Sequence, residues 1–366
     1  MKTKIATAVT VIAAIVPLIL APVGPAYAAS WQFSTPAPAA HLFGISAAST
    51  NDVWAVGSIF GHPIIEHWGG TQWAVVTSPP LPFGSGELHA VTSLPSGKAW
   101  AVGTQTSAPD GEQSTLIETW TGSKWRVVPS PNVFQGGPTD SNYLYAVSTI
   151  SRTDVWAAGR AHRDGQPEQT IIEHWDGVSW TLSSSLSPGT QLNWILGISM
   201  TATSGLAVGV QSDQSEHALA ERWAKGSWRL ARIPSARNLW LYGVLALTNR
   251  EAWAVGWQGS GIAYPMIEHF VKGLGWQTVS PGTSDRGALS GIAASSASDM
   301  WAVGADDDHK TDAFILHWDG SAWTQVAGPS TPTSFIGLSK VAIVPGSIEA
   351  WAVGEDENGP VILHYA

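Results

Sequence analysis

The chain has no cysteine among its 366 residues. That excludes a disulfide framework, a Cys-ligated zinc or iron–sulfur site and a thiol nucleophile. Charge is also scarce, at 13% of residues, and the formal net charge of −10 argues against a nucleic-acid backbone as partner. Beyond residue 28 no stretch approaches ~18 consecutive apolar residues, so no transmembrane segment is expected in the mature chain. What is abundant is Trp, 21 residues, with 38 Gly and 23 Pro. Disordered chains are poor in aromatics and rich in charge, so this composition predicts a folded protein.

Residues 1–28 read as a secretory signal peptide. Lys2 and Lys4 open it, an apolar run from Ile5 to Leu20 follows, and Ala26-Tyr27-Ala28 offers a small-residue cleavage site. No Cys follows that site, which excludes a lipoprotein. The expected location is secreted, extracellular or cell-surface associated.

The rest of the chain repeats one phrase. Val53-Trp54-Ala55-Val56-Gly57 recurs in variants that end at Gly103, Gly159, Gly209, Gly256, Gly304 and Gly354. Each unit of about 48 residues holds four short apolar runs. In the third unit these are Leu144–Ser148, Asp154–Gly159, Ile171–Trp175 and Trp180–Leu182, with an Asp176-Gly177 hairpin signal before the last. Short runs rich in Val, Ile and Trp predict strands. Seven units of four strands predict an all-β fold, a seven-bladed β-propeller occupying residues 29–366 as a single domain. The last unit lacks a fourth run, whereas Trp31-Gln32-Phe33-Ser34 matches the fourth-run pattern. The N-terminal strand should therefore complete the last blade and close the ring.

Eighteen Trp fall at repeated positions of the second, third and fourth strands, and are expected to be core, filling equivalent wedges between blades. Pairs such as Glu66-His67, Glu173-His174 and Glu268-His269 resemble acid–base or metal dyads. Adjacent strand residues point to opposite faces, however, so each pair is expected to serve structural hydrogen bonds. Asp52, Asp154, Glu251, Asp299 and Glu349, just ahead of the second-strand phrase, are expected to be turn residues.

Function is expected where units differ. The second-to-third-strand loops and the unit-to-unit connections share one rim, and the loops over 104–114 and 160–169 are long. Trp194, Trp240 and Trp257 fit no repeat position. The first two are expected to precede first strands and the third to open a long loop, on the same rim. With Tyr242, Tyr143 and Tyr145 they are candidate ligand-binding residues, suited to the apolar faces of sugars or to a flat apolar ligand. His41, Glu87 and His89 flank or enter first strands and are weak candidates for acid–base catalysis. Asp306, Asp308, Asp356 and Asn358 offer hard oxygen ligands that would suit Ca²⁺, although no full calcium-loop spacing is present. No other cofactor is implied.

The order L-x-G-[VI], D-V-W-A-V-G, I-x-H-W-D-G-x-x-W resembles bacterial and lectin-type propellers. It is most similar to the tectonin-like repeat, through Asp154-Val155-Trp156 and Trp175-Asp176-Gly177-Val178-Ser179-Trp180. Resemblance to kelch and WD repeats is weaker. The tectonin-like resemblance implies a carbohydrate-binding protein. The leading expectation is thus a secreted, non-enzymatic module that binds a glycan or cell-envelope component through the rim aromatics. One alternative is a protein-interaction scaffold; another is a polysaccharide hydrolase or lyase with its site at the central pore.

Overall fold

The computed structural model describes residues 29–36, 40–234, 237–308, 312–331 and 335–366. The predicted signal peptide lies outside them. Among the described residues every regular element is a strand. The 28 strands form five four-stranded sheets and one larger sheet, in which two four-stranded units are joined by a single parallel bridge, Ser141 to Gln113. Within each unit all strand pairs are antiparallel. Unit one is typical: His41–Ser49, Asp52–Ile59, His62–Trp68 and Trp73–Val75, each hydrogen-bonded to the next.

The first strands are the innermost. They are His41–Ser49, Gly86–Leu94, Ser141–Ser151, Asn193–Thr201, Leu239–Ala246, Gly287–Ser296 and Gly337–Ile343. Each packs on the next in chain order, and the last packs on the first. The result is an all-β propeller around a central channel. The expected closure is present: Trp31–Ser34 pairs antiparallel with Gly359–Tyr365, supplying the missing fourth strand. Closure leaves no exposed edge between the first and last sheets, where an open array would offer one for aggregation.

The core lies between units. Each of seven buried clusters draws on two neighbouring units. A second-strand Trp meets the fourth-strand Trp of the next unit edge to face, as in Trp54–Trp125 at 5.1 Å and Trp100–Trp180 at 5.4 Å. Trp301 makes the same contact with Trp31, at 5.3 Å, across the closing unit. Edge-to-face packing sets the positive ring edge against the negative face. The second- and fourth-strand Trp are buried; Trp68, Trp120, Trp175, Trp223 and Trp318 on third strands are only partly so, a departure from the expectation that all eighteen are core.

The Glu-His pairs divide as strand geometry requires. Glu66, Glu173 and Glu268 are fully buried. Their His neighbours stack on the second-strand Trp of their own unit, as His174 does on Trp156 at 4.1 Å. Each His then donates to the acid that opens the second strand: His67 to Asp52 at 2.9 Å, His174 to Asp154 at 2.9 Å, His269 to Glu251 at 3.1 Å and His317 to Asp299 at 2.7 Å. Asp52, Asp154, Glu251 and Asp299 are therefore strand residues with a defined partner, where turn residues were expected; Glu349 directly precedes its strand and lies 3.4 Å from His364.

Candidate functional site

The geometry of the channel mouth begins with a glycine. A Cβ on Gly57 would lie 1.7 Å from the His41 carbonyl oxygen, and one on Gly256 would lie 1.8 Å from that of Trp240. The same clash, at 1.8–1.9 Å, awaits a Cβ at Gly103, Gly159, Gly209, Gly304 and Gly354. The repeated Gly is thus required by the close approach of the inner strand. Immediately beyond each approach the inner strand carries a β-bulge, with the register slipping between Leu42 and Gly44 and at the equivalent step in all seven units. A bulge adds one residue and re-aims its side chain. The added residues, among them Phe43, His89, Tyr145, Leu196 and Tyr242, line the mouth of the channel.

On this mouth the candidate aromatics form an unbroken arc through units one to five. His41 stacks on Phe43 at 6.4 Å, Phe43 meets His89 at 5.9 Å, and His89 meets Tyr145 at 5.2 Å. Tyr145 stacks on Tyr143 at 5.9 Å. The Arg160 guanidinium then lies over both Tyr143, at 4.8 Å, and Trp194, at 4.6 Å, bridging units three and four by cation–π contact. Trp194 meets Trp240 edge to face at 5.6 Å, and Trp240 stacks against Trp257 at 6.2 Å and Tyr242 at 6.1 Å. In units six and seven the positions equivalent to Tyr145 and Tyr242 hold Ser290 and Ser339, and the arc ends.

Polar groups fix these rings. Trp194 donates its indole N–H to Glu168, Trp240 donates to Glu216 at 2.6 Å, and Trp257 donates to the Tyr242 hydroxyl at 3.4 Å. Arg160 donates to Tyr145 at 2.9 Å and pairs with Glu168 at 2.8 Å. Burial raises the Tyr145 and Tyr242 phenols above their ordinary range, so both stay neutral. The rings are half-buried and held at both edge and tip. Such an arc offers a fixed apolar platform with carboxylates at its margin.

All six ligand-binding candidates belong to the arc, though by a different local route from the expected one. Trp194 and Trp240 sit inside first strands, and Trp257 lies inside the second strand Glu251–Gln258, directly opposite Trp240. The connections thought long are short, since the flanking strands extend to Thr106 and Gln113 in unit two and to His162 and Gln169 in unit three. The indoles are therefore carried by the rigid sheet, with no loop needed to place them.

Of the catalytic candidates, Glu87 and His89 meet at 3.4 Å while His41 pairs with Glu355 at 2.5 Å. The other His89 ring nitrogen donates to the Leu144 carbonyl at 3.0 Å. The hydrogen bond between His89 and Glu87 outweighs burial and lowers the Glu87 carboxyl pKa. The acidic candidates shape their own turns: Asp306 accepts the Asp308 backbone N–H at 2.6 Å, and Asp356 accepts that of Asn358 at 2.7 Å. Asp308 also pairs with Arg286. Among the described residues no three His, Asp or Glu side chains converge as metal ligands.

One residue at the mouth was not anticipated. After each bulge the inner strand places Gly or Ala, except in unit seven, where Lys340 stands. The signal was present as a break in the L-x-G-[VI] pattern at Leu338-Ser339-Lys340-Val341.

No protein family matches the chain, and no curated protein does. Solved structures do. YCF48 bound to D1 peptide superposes with a TM-score of 0.61 at 14% identity, over 92% of this chain and 96% of that one. YCF48 from Cyanidioschyzon merolae gives 0.57 at 15% identity, over 92% and 98%. At these identities the likeness establishes the propeller fold alone.

Proposed function

We propose that the protein is a non-enzymatic binding module exported by the leader at residues 1–28, and that its ligand lies across the aromatic arc at the channel mouth. The observation that carries this is the arc itself: conjoined rings on five adjacent units, at positions that packing between units does not require. Carbohydrate is the ligand class we favour. Flat rings stack on the apolar faces of sugars, the bordering Glu168 and Glu216 carboxylates accept from hydroxyls, and the repeat resembles tectonin-like lectins. Replacing Trp194, Trp240 and Trp257 together by Ala should reduce binding on a glycan array at least tenfold with circular dichroism unchanged. Undiminished binding by that variant rejects the reading.

A second reading takes a peptide as ligand. It is favoured by one specific observation, that a solved propeller of nearly the same extent, YCF48, is described as bound to D1 peptide. A peptide-array screen separates the two: capture of peptides, lost in the triple Trp variant, with a blank glycan array, would replace carbohydrate by peptide.

A further inference from the structure

In the layer of the channel just below the arc the inner strands approach one another closely. A Cβ on Gly44 would come within 2.9 Å of the Ala90 Cα, one on Gly197 within 2.9 Å of the Tyr242 carbonyl oxygen, and one on Gly291 within 2.9 Å of the Lys340 Cα. Backbones touch here because six units carry Gly or Ala. The channel at this level encloses about 160 Å³, walled by all seven inner strands. Of the seven residues that follow the bulges, Lys340 is the one with a long side chain, and it also borders the wider mouth of about 260 Å³ above.

The Lys340 ammonium donates to the Tyr242 carbonyl at 3.3 Å and to the Ser290 carbonyl at 3.1 Å. That engages two of its three protons and supplies no opposite charge. Among the described residues no ion pair joins it to a carboxylate. The acids of the rim are engaged elsewhere: Glu87 with His89, Glu168 with Arg160 and Trp194, Glu216 with Trp240. Burial lowers the ammonium pKa to about 8, which still leaves it mainly cationic at pH 7. A half-buried charge held only by neutral carbonyls gains from a counter-charge, which a bound anion supplies.

We infer that Lys340 is an anion receptor in the mouth of the channel, which takes the carboxylate of a small organic acid. The body of that acid rests against Phe43, Tyr145, Leu196 and Tyr242, which line the mouth together with Lys340. The Ser290 and Ser339 hydroxyls border the same space and are placed to donate to a second carboxylate oxygen. The site shares Tyr145 and Tyr242 with the arc but not the three indoles, none of which lines the space beside Lys340.

Phenylacetate and its uncharged analogue phenylacetamide test it by titration calorimetry on the full mature chain. Phenylacetate should bind with a Kd of about 5 mM, a value typical of a ligand that small, and phenylacetamide at least tenfold more weakly. Lys340→Ala reproduces the residue other units carry, and Lys340→Met keeps the aliphatic stem; either should reduce phenylacetate to the level of the amide. The Trp194, Trp240 and Trp257 triple Ala variant should retain phenylacetate, so failure of the arc and failure of this site are read separately. Equal affinity for acid and amide, phenylacetate binding retained in both Lys340 variants, or no phenylacetate binding at about 50 mM, tenfold above the expected constant, overturns the inference. A Lys340 that only ties units five, six and seven together would lower the melting temperature on substitution and leave no acid-over-amide preference to lose.

Discussion

The wedges between units and the mouth of the channel are built from the same seven repeats, yet they treat a repeated position in opposite ways. In the wedges the side chain recurs: a Trp on the second strand of six units meets a Trp on the fourth strand of the next. At the mouth it is the backbone that recurs. A Gly and a bulge return in every unit, while the side chain they present changes from Phe43 to His89, Tyr145, Leu196, Tyr242, Ser290 and Ser339. Wedges of equal shape need equal filling, because interiors are close-packed. A mouth that faces solvent tolerates variety, so identity there is free to serve a ligand.

The comparison breaks first at the wedge. Trp253→Ala, at a position 1% exposed, should cost about 3–5 kcal/mol in chemical denaturation. The half-buried Trp257, four residues on, should cost about 1 kcal/mol, since it leaves no sealed cavity. Equal costs for the two would erase the distinction between building and presenting residues. Gly256→Ala forces a methyl into the Trp240 carbonyl and should cost about 3 kcal/mol, with loss of the bulge visible in the Tyr242 amide resonance.

The buried carboxyls sharpen the comparison through pH. Desolvation pushes Glu118 and Glu221 up to about 7 and raises Glu173 well above its ordinary value. Their folded pKa exceeds the unfolded one, so the folded state holds protons that the unfolded state has released. Stability from these groups is complete below about pH 4.5 and declines as pH rises to about 7, where Glu118 ionises in both states. Glu118 alone accounts for about 3 kcal/mol over that window, and Glu118→Gln should flatten the stability–pH profile by that amount. The mouth acid Glu87 has the reverse sign: its pKa is lowered first by the His89 hydrogen bond, so its contribution is present above about pH 4.5 and is lost on acidification. The Glu87 side chain is 42% exposed, and Glu87→Gln should change stability by about 0.5 kcal/mol or less, the smallest effect of the set.

Much of the fold was legible because periodicity is a local property. The Trp-Ala-Val-Gly phrase marked the second strands, the Asp-Gly turns marked the hairpins, and the displaced Trp31 strand marked the closure. The residues of the arc were legible as departures from the repeat, since no packing rule placed Trp194, Trp240 or Trp257. Their placement within strands was not legible. The bulge depends on how closely the His41 or Trp240 carbonyl approaches the facing Gly, and nothing in the order of residues reports that distance. The partner of each third-strand His was similarly hidden. An acid 15 to 20 residues earlier looks like a turn residue until antiparallel pairing brings it beside the imidazole.

The amino-acid order by itself determined that the chain repeats, that its units are short strands, and which residues depart from the pattern. Those follow from alternation, turn chemistry and composition, which act over a few residues. Only the closed ring decided that six aromatic departures join into one arc, that Glu66 and its equivalents are sealed from water, and that Lys340 reaches the neutral carbonyls of two neighbouring units. These are juxtapositions of residues up to 98 positions apart, such as Lys340 and Tyr242, and they exist only once seven wedges meet around a common centre.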